Sequence, residues 1–497
     1  MRLIDIIKKA LDRPSNDSHQ IVIREGASLS QRRNLNLADW VYSFDNTLKC
    51  SDGSSLPIDN VNALITGDSL YKNEIITRQI VAGLLKGYTP LVISANGKNG
   101  LLYNVLRTIF DESSINYISE EYSSKRYSPF SGLTIDEVTD FFYGLVCDFQ
   151  TDQINGMLVR NYVSVCVSVF FANGKAVSDL LTGQLDHMRL LHEINRLYDT
   201  GEITESVRQQ YTYAANSAQS VSVPVLSVIQ DYIYKFRKIS NSKPTIRIRS
   251  VNTPQIRILG TNGNSQINIS PHNTNVNDKG ICLSDIMAGK CLYIEIKNDV
   301  TRNLRNSLNE QCFQWYLSRT LRLEIESRIE LKNRPLMVIV DNLSDTMVNC
   351  FWGIINLPNS VRIINYDDFY SKLSATQDYR QQLIGMAETM YFFSVINEES
   401  AAWASRTFGT HMVPKVVVTN QPYREWTDVF FPPKSYAHDE IEKPWFSGHE
   451  IQHLGNMGIV YSRRHKIFKP YYRENGKTYV DQNYKRQRVN FCLFEFR

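Results

Sequence analysis

Residues 67 to 74, which read Gly-Asp-Ser-Leu-Tyr-Lys-Asn-Glu, include the residue types of a phosphate-binding loop. Such a loop needs glycine so that backbone N–H groups can approach a phosphate, a lysine for its charge and a hydroxyl for magnesium. Gly67 fills the first position, and Lys72 falls at the lysine position of a loop that is one residue short. The predicted nucleotide-binding residues are therefore Gly67, Asp68, Ser69 and Lys72, with ATP and magnesium as the cofactors.

The same loop departs from the pattern at two positions. Its second glycine is absent, and Asn73 or Glu74 stands where a hydroxyl would bind magnesium. A Glu74 carboxylate beside a triphosphate would repel it. The sequence therefore leaves two interpretations open: a weakened nucleotide-binding site, or a loop that no longer binds nucleotide.

Asp341 follows the apolar run Leu336–Val340, where a carboxylate orients magnesium in sites of this kind. The next residue is often a glutamate that polarises the attacking water, but here it is Asn342. Because an amide cannot accept a proton, we expect slow or absent hydrolysis, with Asp341 as the catalytic candidate. An Asp-Asn pair after a strand is also typical of an ordinary turn, and that alternative stays open.

A third pattern, His449-Glu450-Ile451-Gln452-His453, matches the HExxH spacing. On a helix this spacing places two imidazoles on one face for zinc and a glutamate to activate water. The helix predicted between Ser447 and Gly455 is short, and no further histidine follows at a suitable distance. Zinc is therefore not expected at His449, Glu450 and His453, and a zinc metallopeptidase is kept as an alternative function.

The last 37 residues are basic, with ten Lys/Arg against three Asp/Glu in 461–497. Basic groups follow phosphates and aromatic rings stack on bases, so this segment is a candidate for binding single-stranded nucleic acid. A solvated terminal face is the alternative. The candidate nucleic-acid residues are Arg463, Arg464, Lys466, Tyr471 and Tyr472.

The elements that must position these residues follow from the apolar spacing. A run at 61–66, a helical pattern and a second run at 91–93 form a β-α-β unit, whose crossover implies parallel strands. Helical spacing then continues to about residue 238, and Thr134 with Glu137 predicts a capping box at its start. Three alternating stretches predict a small antiparallel sheet: 245–251, 255–259 and 266–269. Further core strands are predicted at 292–296, 336–341, 361–364 and 390–395.

Core strands on both sides of the helical block make it an insertion into one α/β domain. The expected organisation is an N-terminal segment (1–58), a first part of the core (59–130), an all-α insertion (131–238), a small β insertion (239–275), a second part of the core (276–460) and a basic C-terminal tail (461–497).

Bulk composition fits a folded protein: 497 residues, 42% hydrophobic, with a net charge of +4. That charge is too small for this length to indicate nucleic-acid binding by itself. The sequence has no uncharged apolar stretch of about 20 residues, so no membrane span is predicted, and residues 1–11 fit a short amphipathic helix. Eight scattered cysteines without CxxC pairs suggest reduced thiols and a cytoplasmic location, with peripheral membrane attachment left open.

The order of these features resembles the type IV coupling proteins, conjugative ATPases of the FtsK–HerA class. The resemblance covers roughly residues 59–473. The segments that carry it are Gly67–Glu74, Ser94–Leu102, Tyr127–Thr134, Leu336–Asp341, Met390–Ala401, Glu450–Leu454, Gly458–Tyr461 and Pro470–Tyr472.

The resemblance implies a RecA-like P-loop core with a mainly parallel sheet, an inserted all-α domain and a small antiparallel β element. It also implies a ring of copies, a hexamer in this class, around a translocating strand, with the helical insertion receiving substrate. The expected partners are further copies of this chain or other subunits of a secretion complex, and DNA. The function expected is therefore a coupling-protein-like component of DNA transfer or secretion machinery with weak or lost ATP hydrolysis. A catalytically inactive scaffold or adaptor of the same fold is the alternative.

Overall fold

The computed structural model contains two compact units. The central unit comprises residues 80–361, and the flanking unit comprises 45–79 with 362–497. The described residues are 47–49, 55–58, 62–69, 71–110, 112–120, 122–124, 130, 133–149, 155–171, 184–236, 239, 291–296, 304–327, 335–373, 379–420, 434–464, 471–474, 477–480 and 491–495.

The strands within these residues, in chain order, are β1 (Thr47–Lys49), β2 (Ser55–Pro57), β3 (Ala63–Thr66), β4 (Thr89–Ser94), β5 (Ile115–Ile118), β6 (Cys291–Glu295), β7 (Leu336–Asp341), β8 (Val361–Tyr366), β9 (Thr389–Phe392), β10 (Thr410–Asn420), β11 (Lys434–Pro444), β12 (Met457–Ser462), β13 (Tyr471–Glu474), β14 (Lys477–Val480) and β15 (Phe491–Glu495). The helices are α1 (Lys72–Leu85), α2 (Leu101–Ile109), α3 (Ile135–Phe149), α4 (Gly156–Cys166), α5 (His187–Asp199), α6 (Glu205–Ser217), α7 (Ser222–Phe236), α8 (Leu304–Ser327), α9 (Asp345–Ile355), α10 (Phe369–Lys372), α11 (Tyr379–Met386), α12 (Glu398–Phe408) and α13 (Gly448–Gln452).

The central unit contains a parallel sheet in the order β7-β4-β6-β5. Strands β4 and β7 are buried along their whole length, which explains why they read as continuous apolar runs instead of alternating ones. In their register Ser94 lies opposite Asp341. The carboxyl ends of these strands therefore bring together residues that are far apart in sequence.

Helices α3 to α7 lie between β5 and β6 in the chain. The predicted capping box is confirmed, since Thr134 N donates to Glu137 Oε2 at 2.7 Å and Glu137 N donates to Thr134 Oγ1 at 3.3 Å. Buried aromatic rings pack in this region, with the Phe142 and Tyr232 centroids 5.2 Å apart and those of Phe130 and Tyr232 5.6 Å apart. This block is helical because its apolar residues recur at helical spacing and meet in one core.

The flanking unit contains a second set of strands in the order β15-β12-β9-β3-β8. Strand β3 pairs in parallel with β9 and β8, whereas β12 runs antiparallel to β9 and to β15. Residues 491–494 of β15 are all buried. The end of the basic segment is therefore a core strand and not part of a solvated face.

The predicted α/β class, with mainly parallel core strands and a helical insertion, is confirmed. The alternating stretches predicted at 245–269 and the amphipathic helix at 1–11 lie outside the described residues. Among the helices that are described, none has both the length and the apolar character needed to cross a bilayer.

The thiol expectation needs one correction. Cys147, Cys166, Cys291 and Cys350 are free, but Cys492 is disulfide-bonded. Sequence spacing could not reveal this, because a disulfide depends on which Cβ atoms meet in space.

Candidate functional site

The loop after β3 begins at a glycine that no other residue can replace without strain. Gly67 has φ +98°, and its N–H donates to the Asp367 carbonyl oxygen at 3.2 Å. A Cβ at this position would lie 2.7 Å from the carbonyl carbon and oxygen of Phe393. Since those neighbours are backbone atoms, the glycine is required by close approach of the chain to itself.

The backbone amides of Gly67, Asp68, Tyr71 and Lys72 donate to acceptors within the protein. Asp68 N donates to the Ser394 carbonyl oxygen at 2.8 Å. Ser69 accepts twice, through Oγ from Tyr71 N at 3.2 Å and through its carbonyl oxygen from Lys72 N at 3.2 Å. These N–H groups are therefore engaged in intramolecular bonds and do not point freely into a phosphate-sized space.

Lys72, the predicted phosphate-binding lysine, is only 1% exposed. Its Nζ donates to the Tyr366 carbonyl oxygen at 2.8 Å and to Asp367 Oδ1 at 2.9 Å. Both acceptors lie at the carboxyl end of β8, and the Asp367 side chain is 64% exposed. The positive charge that would attract phosphate is therefore already paired with a carboxylate.

Glu74 lies in the first turn of α1 and is largely buried. Its Oε1 lies 2.5 Å from Arg78 Nη2, a spacing of four residues along the helix. The Arg78 guanidinium therefore compensates the negative charge of Glu74. From the sequence we expected that charge to repel a triphosphate. Neither Asn73 nor Glu74 supplies the hydroxyl of the usual magnesium position.

Asp341 lies at the carboxyl end of β7 in the central unit and is 1% exposed. Its Oδ2 accepts hydrogen bonds from Ser94 Oγ at 2.6 Å and from Asn96 Nδ2 at 3.1 Å. Sequence reasoning did not assign either partner to Asp341. The available signal was that Ser94 ends one buried strand, with Asn96 two residues after it, while Asp341 ends another.

Asn342 has φ +54°, the left-handed conformation that asparagine tolerates better than most residues. The turn interpretation of the Asp-Asn pair therefore has a geometric basis. It does not exclude a role for Asp341, whose carboxylate is fixed by two donors.

The loop after β4 also contains a glycine with positive φ. Gly97 has φ +61°, and its carbonyl oxygen accepts from the Tyr293 hydroxyl at 3.0 Å. Burial raises the pKa of Tyr293 well above its ordinary value, so the hydroxyl remains a donor. Lys98 is exposed, and its Nζ lies 4.5 Å from the ring centroid of Tyr117.

The structure therefore brings Gly67, Asp68, Ser69 and Lys72 together in one loop of the flanking unit, and places Asp341 in the central unit with Ser94 and Asn96. In this arrangement the loop fits a nucleoside triphosphate poorly, since its lysine is paired with Asp367 and the amides of Gly67, Asp68, Tyr71 and Lys72 are bonded internally. Among the described residues, no cluster of three or more His, Cys, Asp or Glu side chains could hold a metal ion.

The HExxH segment forms a helix of five residues, α13. Glu450 Oε2 accepts from Ser447 N at 2.8 Å and Ser447 Oγ at 2.9 Å, which completes a capping box. The His449 and His453 rings stack with centroids 4.3 Å apart, and His453 Nδ1 lies 2.8 Å from the His449 carbonyl oxygen. The glutamate therefore caps a helix, and this geometry gives no support to a zinc peptidase.

Two of the predicted nucleic-acid residues contact the protein itself. Arg463 donates to the carbonyl oxygens of Gly385 at 2.8 Å and Ile384 at 3.0 Å, where it caps the end of α11. Arg464 Nη2 lies 2.6 Å from Glu388 Oε2. Lys466 lies outside the described residues, and for Tyr471 and Tyr472 only the backbone, in β13, is described.

The chain is similar to solved structures of coupling proteins. For the unbound monoclinic form of the bacterial conjugative coupling protein TrwBdeltaN70, the TM-score is 0.38 and the identity 14%, over 90% of this chain and 92% of that chain. For plasmid coupling protein TrwB with the non-hydrolysable GTP analogue GDPNP, the values are 0.39 and 11%, over 97% and 96%. For VirB4 of Thermoanaerobacter pseudethanolicus they are 0.32 and 10%, over 72% and 86%.

All three TM-scores are below 0.5. No protein-family model matches the sequence. The comparison with curated proteins likewise finds no match.

Proposed function

We propose that this chain is a coupling-protein-like P-loop component of DNA transfer or secretion machinery, with weak or lost ATP hydrolysis. The observation that carries the loss of hydrolysis is the ion pair between buried Lys72 and Asp367, 2.9 Å long. A lysine held in this way cannot follow the charge that develops on a transferred phosphoryl group unless the pair breaks. Asn342 adds to this, because it cannot act as the base next to Asp341.

The assignment to a transfer or secretion machine is supported by the order of motifs in the sequence. A strand followed by a glycine-and-lysine loop, an inserted helical block and a later strand ending in Asp341 occur in the order typical of coupling proteins. In such a machine the chain would assemble with copies of itself or with other subunits. Gly67, Asp68, Ser69 and Lys72 remain the proposed phosphate contacts, and Asp341 the proposed magnesium ligand.

ATP titration of the purified protein tests the proposal. We expect little or no rise in melting temperature with ATP and magnesium, and phosphate release far below the roughly 1–100 per second of typical phosphoryl-transfer enzymes. Asp367→Asn should free Lys72 and increase the ATP-dependent rise in melting temperature. Asp136→Asn removes an exposed carboxylate from α3 and is the matched control.

Turnover within that range by the unmodified protein, abolished by Asp341→Ala, would show that the site is an active ATPase. The alternative function, a silent scaffold or adaptor of the same fold, gains support from the internally bonded amides of Asp68 and Lys72. It predicts that Asp367→Asn gains no nucleotide affinity while self-assembly is retained.

The substrate is tested separately with single-stranded DNA. Phosphate contacts release counterions, so binding should weaken steeply between ~50 and ~200 mM salt. Since Arg463 and Arg464 have partners within the protein, Lys466, Tyr471 and Tyr472 are the cleaner positions to change to alanine. Absence of binding at ~50 mM salt would make protein the substrate.

A further inference from the structure

A groove of about 1000 Å³ lies in the flanking unit, lined by residues of α10, α11, α12 and α13. Its volume is at the upper end of ordinary ligand sites, enough for several residues of an extended peptide. One of its lining residues, Arg380, is a cation with which no carboxylate of the described residues forms an ion pair.

Arg380 is 7% exposed. Its Nη2 donates to the Leu373 carbonyl oxygen, and its buried Nε has no hydrogen-bond partner among the residues that the structure describes. Within the part of the chain that the structure describes, no carboxylate pairs with this guanidinium. A buried cation without a counter-ion is costly, so this group is a candidate for pairing with an anion from outside.

The guanidinium is also held in a fixed plane. Its Cζ lies 3.8 Å from the ring centroid of Tyr370, and Tyr370 in turn stacks on Trp403 with centroids 5.7 Å apart and planes at 18°. Guanidinium donors that are oriented before binding lose less conformational freedom when an acceptor arrives. The stack therefore prepares Arg380 to accept a single planar anion.

Arg406 and two carboxylates also line the groove, and the carboxylates restrict the size of that anion. Glu398 and Glu399 line it from the first turn of α12, and both are exposed. A nucleic-acid backbone placed against Arg380 would meet these two carboxylates and be repelled. A lone carboxylate flanked by basic groups satisfies Arg380 and the two glutamates together.

We propose that this groove binds a peptide segment of a protein partner, with an acidic side chain placed against Arg380 and basic side chains near Glu398 and Glu399. The proposal does not rest on the nucleotide loop, and it stands whether or not the chain hydrolyses ATP. It gives a protein-recognition role to a groove whose lining includes His449 of the HExxH segment.

The experiment is calorimetric titration of the full chain with two peptides, acetyl-Lys-Gly-Glu-Gly-Lys-amide and the same peptide with glutamine in place of glutamate. A hydrogen bond between charged partners should make the glutamate peptide bind at least about tenfold more tightly. This comparison uses the unmodified protein, so it does not depend on any variant folding. Equal affinities, or no binding of either peptide at about millimolar concentration, would overturn the proposal.

Three variants test whether Arg380 causes the difference in affinity between the two peptides. Arg380→Gln should abolish the difference between the two peptides, and Arg380→Lys should retain part of it. Arg406→Gln is the matched control, because Arg406 lines the same groove but is exposed, and it should leave the difference unchanged. An effect of Arg406→Gln as large as that of Arg380→Gln would contradict the role given to Arg380.

Two other occupants are also tested. Displacement of the glutamate peptide by a deoxythymidine oligonucleotide would overturn the proposal in favour of nucleic acid. Concentration-dependent self-association that Arg380→Gln abolishes, measured by light scattering, would overturn it in favour of a second copy of this chain.

Discussion

Two strand–loop–helix turns in this chain are built from similar residues but place their lysines in opposite environments. In the loop after β3, Lys72 is 1% exposed and its ammonium is 2.9 Å from Asp367 Oδ1. In the loop after β4, Lys98 is exposed and its ammonium lies 4.5 Å from the ring centroid of Tyr117. One lysine is a buried member of an ion pair, and the other rests on an aromatic surface in contact with water.

The glycines of the two loops also differ in how strictly their surroundings exclude a side chain. At Gly67 a Cβ would meet the backbone of Phe393, which cannot move aside. At Gly97 a Cβ would meet the side-chain carboxylate of Glu295, at 2.4 Å from Oε1. The β3 loop is thus constrained by main chain and a buried charge, and the β4 loop by groups that can rotate.

The comparison shows why a glycine-and-lysine loop is a weak indicator of phosphate binding. The charge on a lysine is available to a ligand only if the lysine is not already paired with a carboxylate of the protein. For Lys72 that carboxylate is 295 residues further along the chain. Its identity follows from strand order and not from the local motif.

The largest expected effect on stability is that of changing Gly67, and it should exceed the effect of changing Gly97. Gly67→Ala adds left-handed strain of about 1–2 kcal/mol to overpacking of about 1–3 kcal/mol, so we expect a loss of about 2–5 kcal/mol. Gly97→Ala should cost only about 1–2 kcal/mol, because the Glu295 carboxylate can move. Urea denaturation, with hydrogen exchange of peptides from each loop, measures both. Equal losses would remove the distinction between the loops.

The next effect concerns the ion pair. Asp367→Asn removes the carboxylate of the ion pair from the buried Lys72 ammonium, which still donates to the Tyr366 carbonyl oxygen, and we expect a loss of about 1–3 kcal/mol in the free energy of unfolding. Lys72→Met keeps the buried volume and leaves Asp367 to be solvated, so its cost should be within about 1 kcal/mol. Denaturation of the two variants side by side gives the order. A larger loss in Lys72→Met would mean that the ion pair itself stabilises the loop.

Much of the core could be predicted from the sequence because buried parallel strands read as continuous apolar runs. Strand β7 has the predicted bounds, 336–341, and β4 extends the run predicted at 91–93 by a few residues. The capping box of Thr134 and Glu137 was predicted because it is local, three residues from one partner to the other. Short-range chemistry and long apolar runs are thus the features that a single sequence reveals.

The features that the sequence did not reveal depend on pairing between distant segments. Strand β15, in a basic segment, is buried because it pairs with β12. The long hairpin of β10 and β11 was not predicted either, since polar residues interrupt both of its strands. The partners of Lys72, Asp341 and Arg463 could not be inferred, because each lies far from it in the chain.

The smallest expected effect tests the β4 loop. The Lys98 ammonium lies 4.5 Å from the Tyr117 ring centroid and 4.7 Å from that of Tyr122, and Tyr122 is itself 48% exposed. A cation–π contact at such an exposed site is worth about 0.5–1 kcal/mol. Lys98→Met should therefore lower the free energy of unfolding by no more than this, several-fold less than Gly67→Ala.

A double-mutant cycle of Lys98→Met with Tyr122→Leu isolates the contact, because it subtracts the effect that each change has alone. We expect a coupling of about 0.5 kcal/mol, and Lys98→Arg should preserve the stability because a guanidinium also stacks on tyrosine. A coupling well above about 1 kcal/mol would mean that the contact between Lys98 and Tyr122 is stronger than the exposure of the two side chains indicates. The two lysines would then differ in degree and not in kind. A coupling near zero would instead mean that Tyr122 does not hold the Lys98 ammonium, which would then be more available to an anion from solution than that of Lys72.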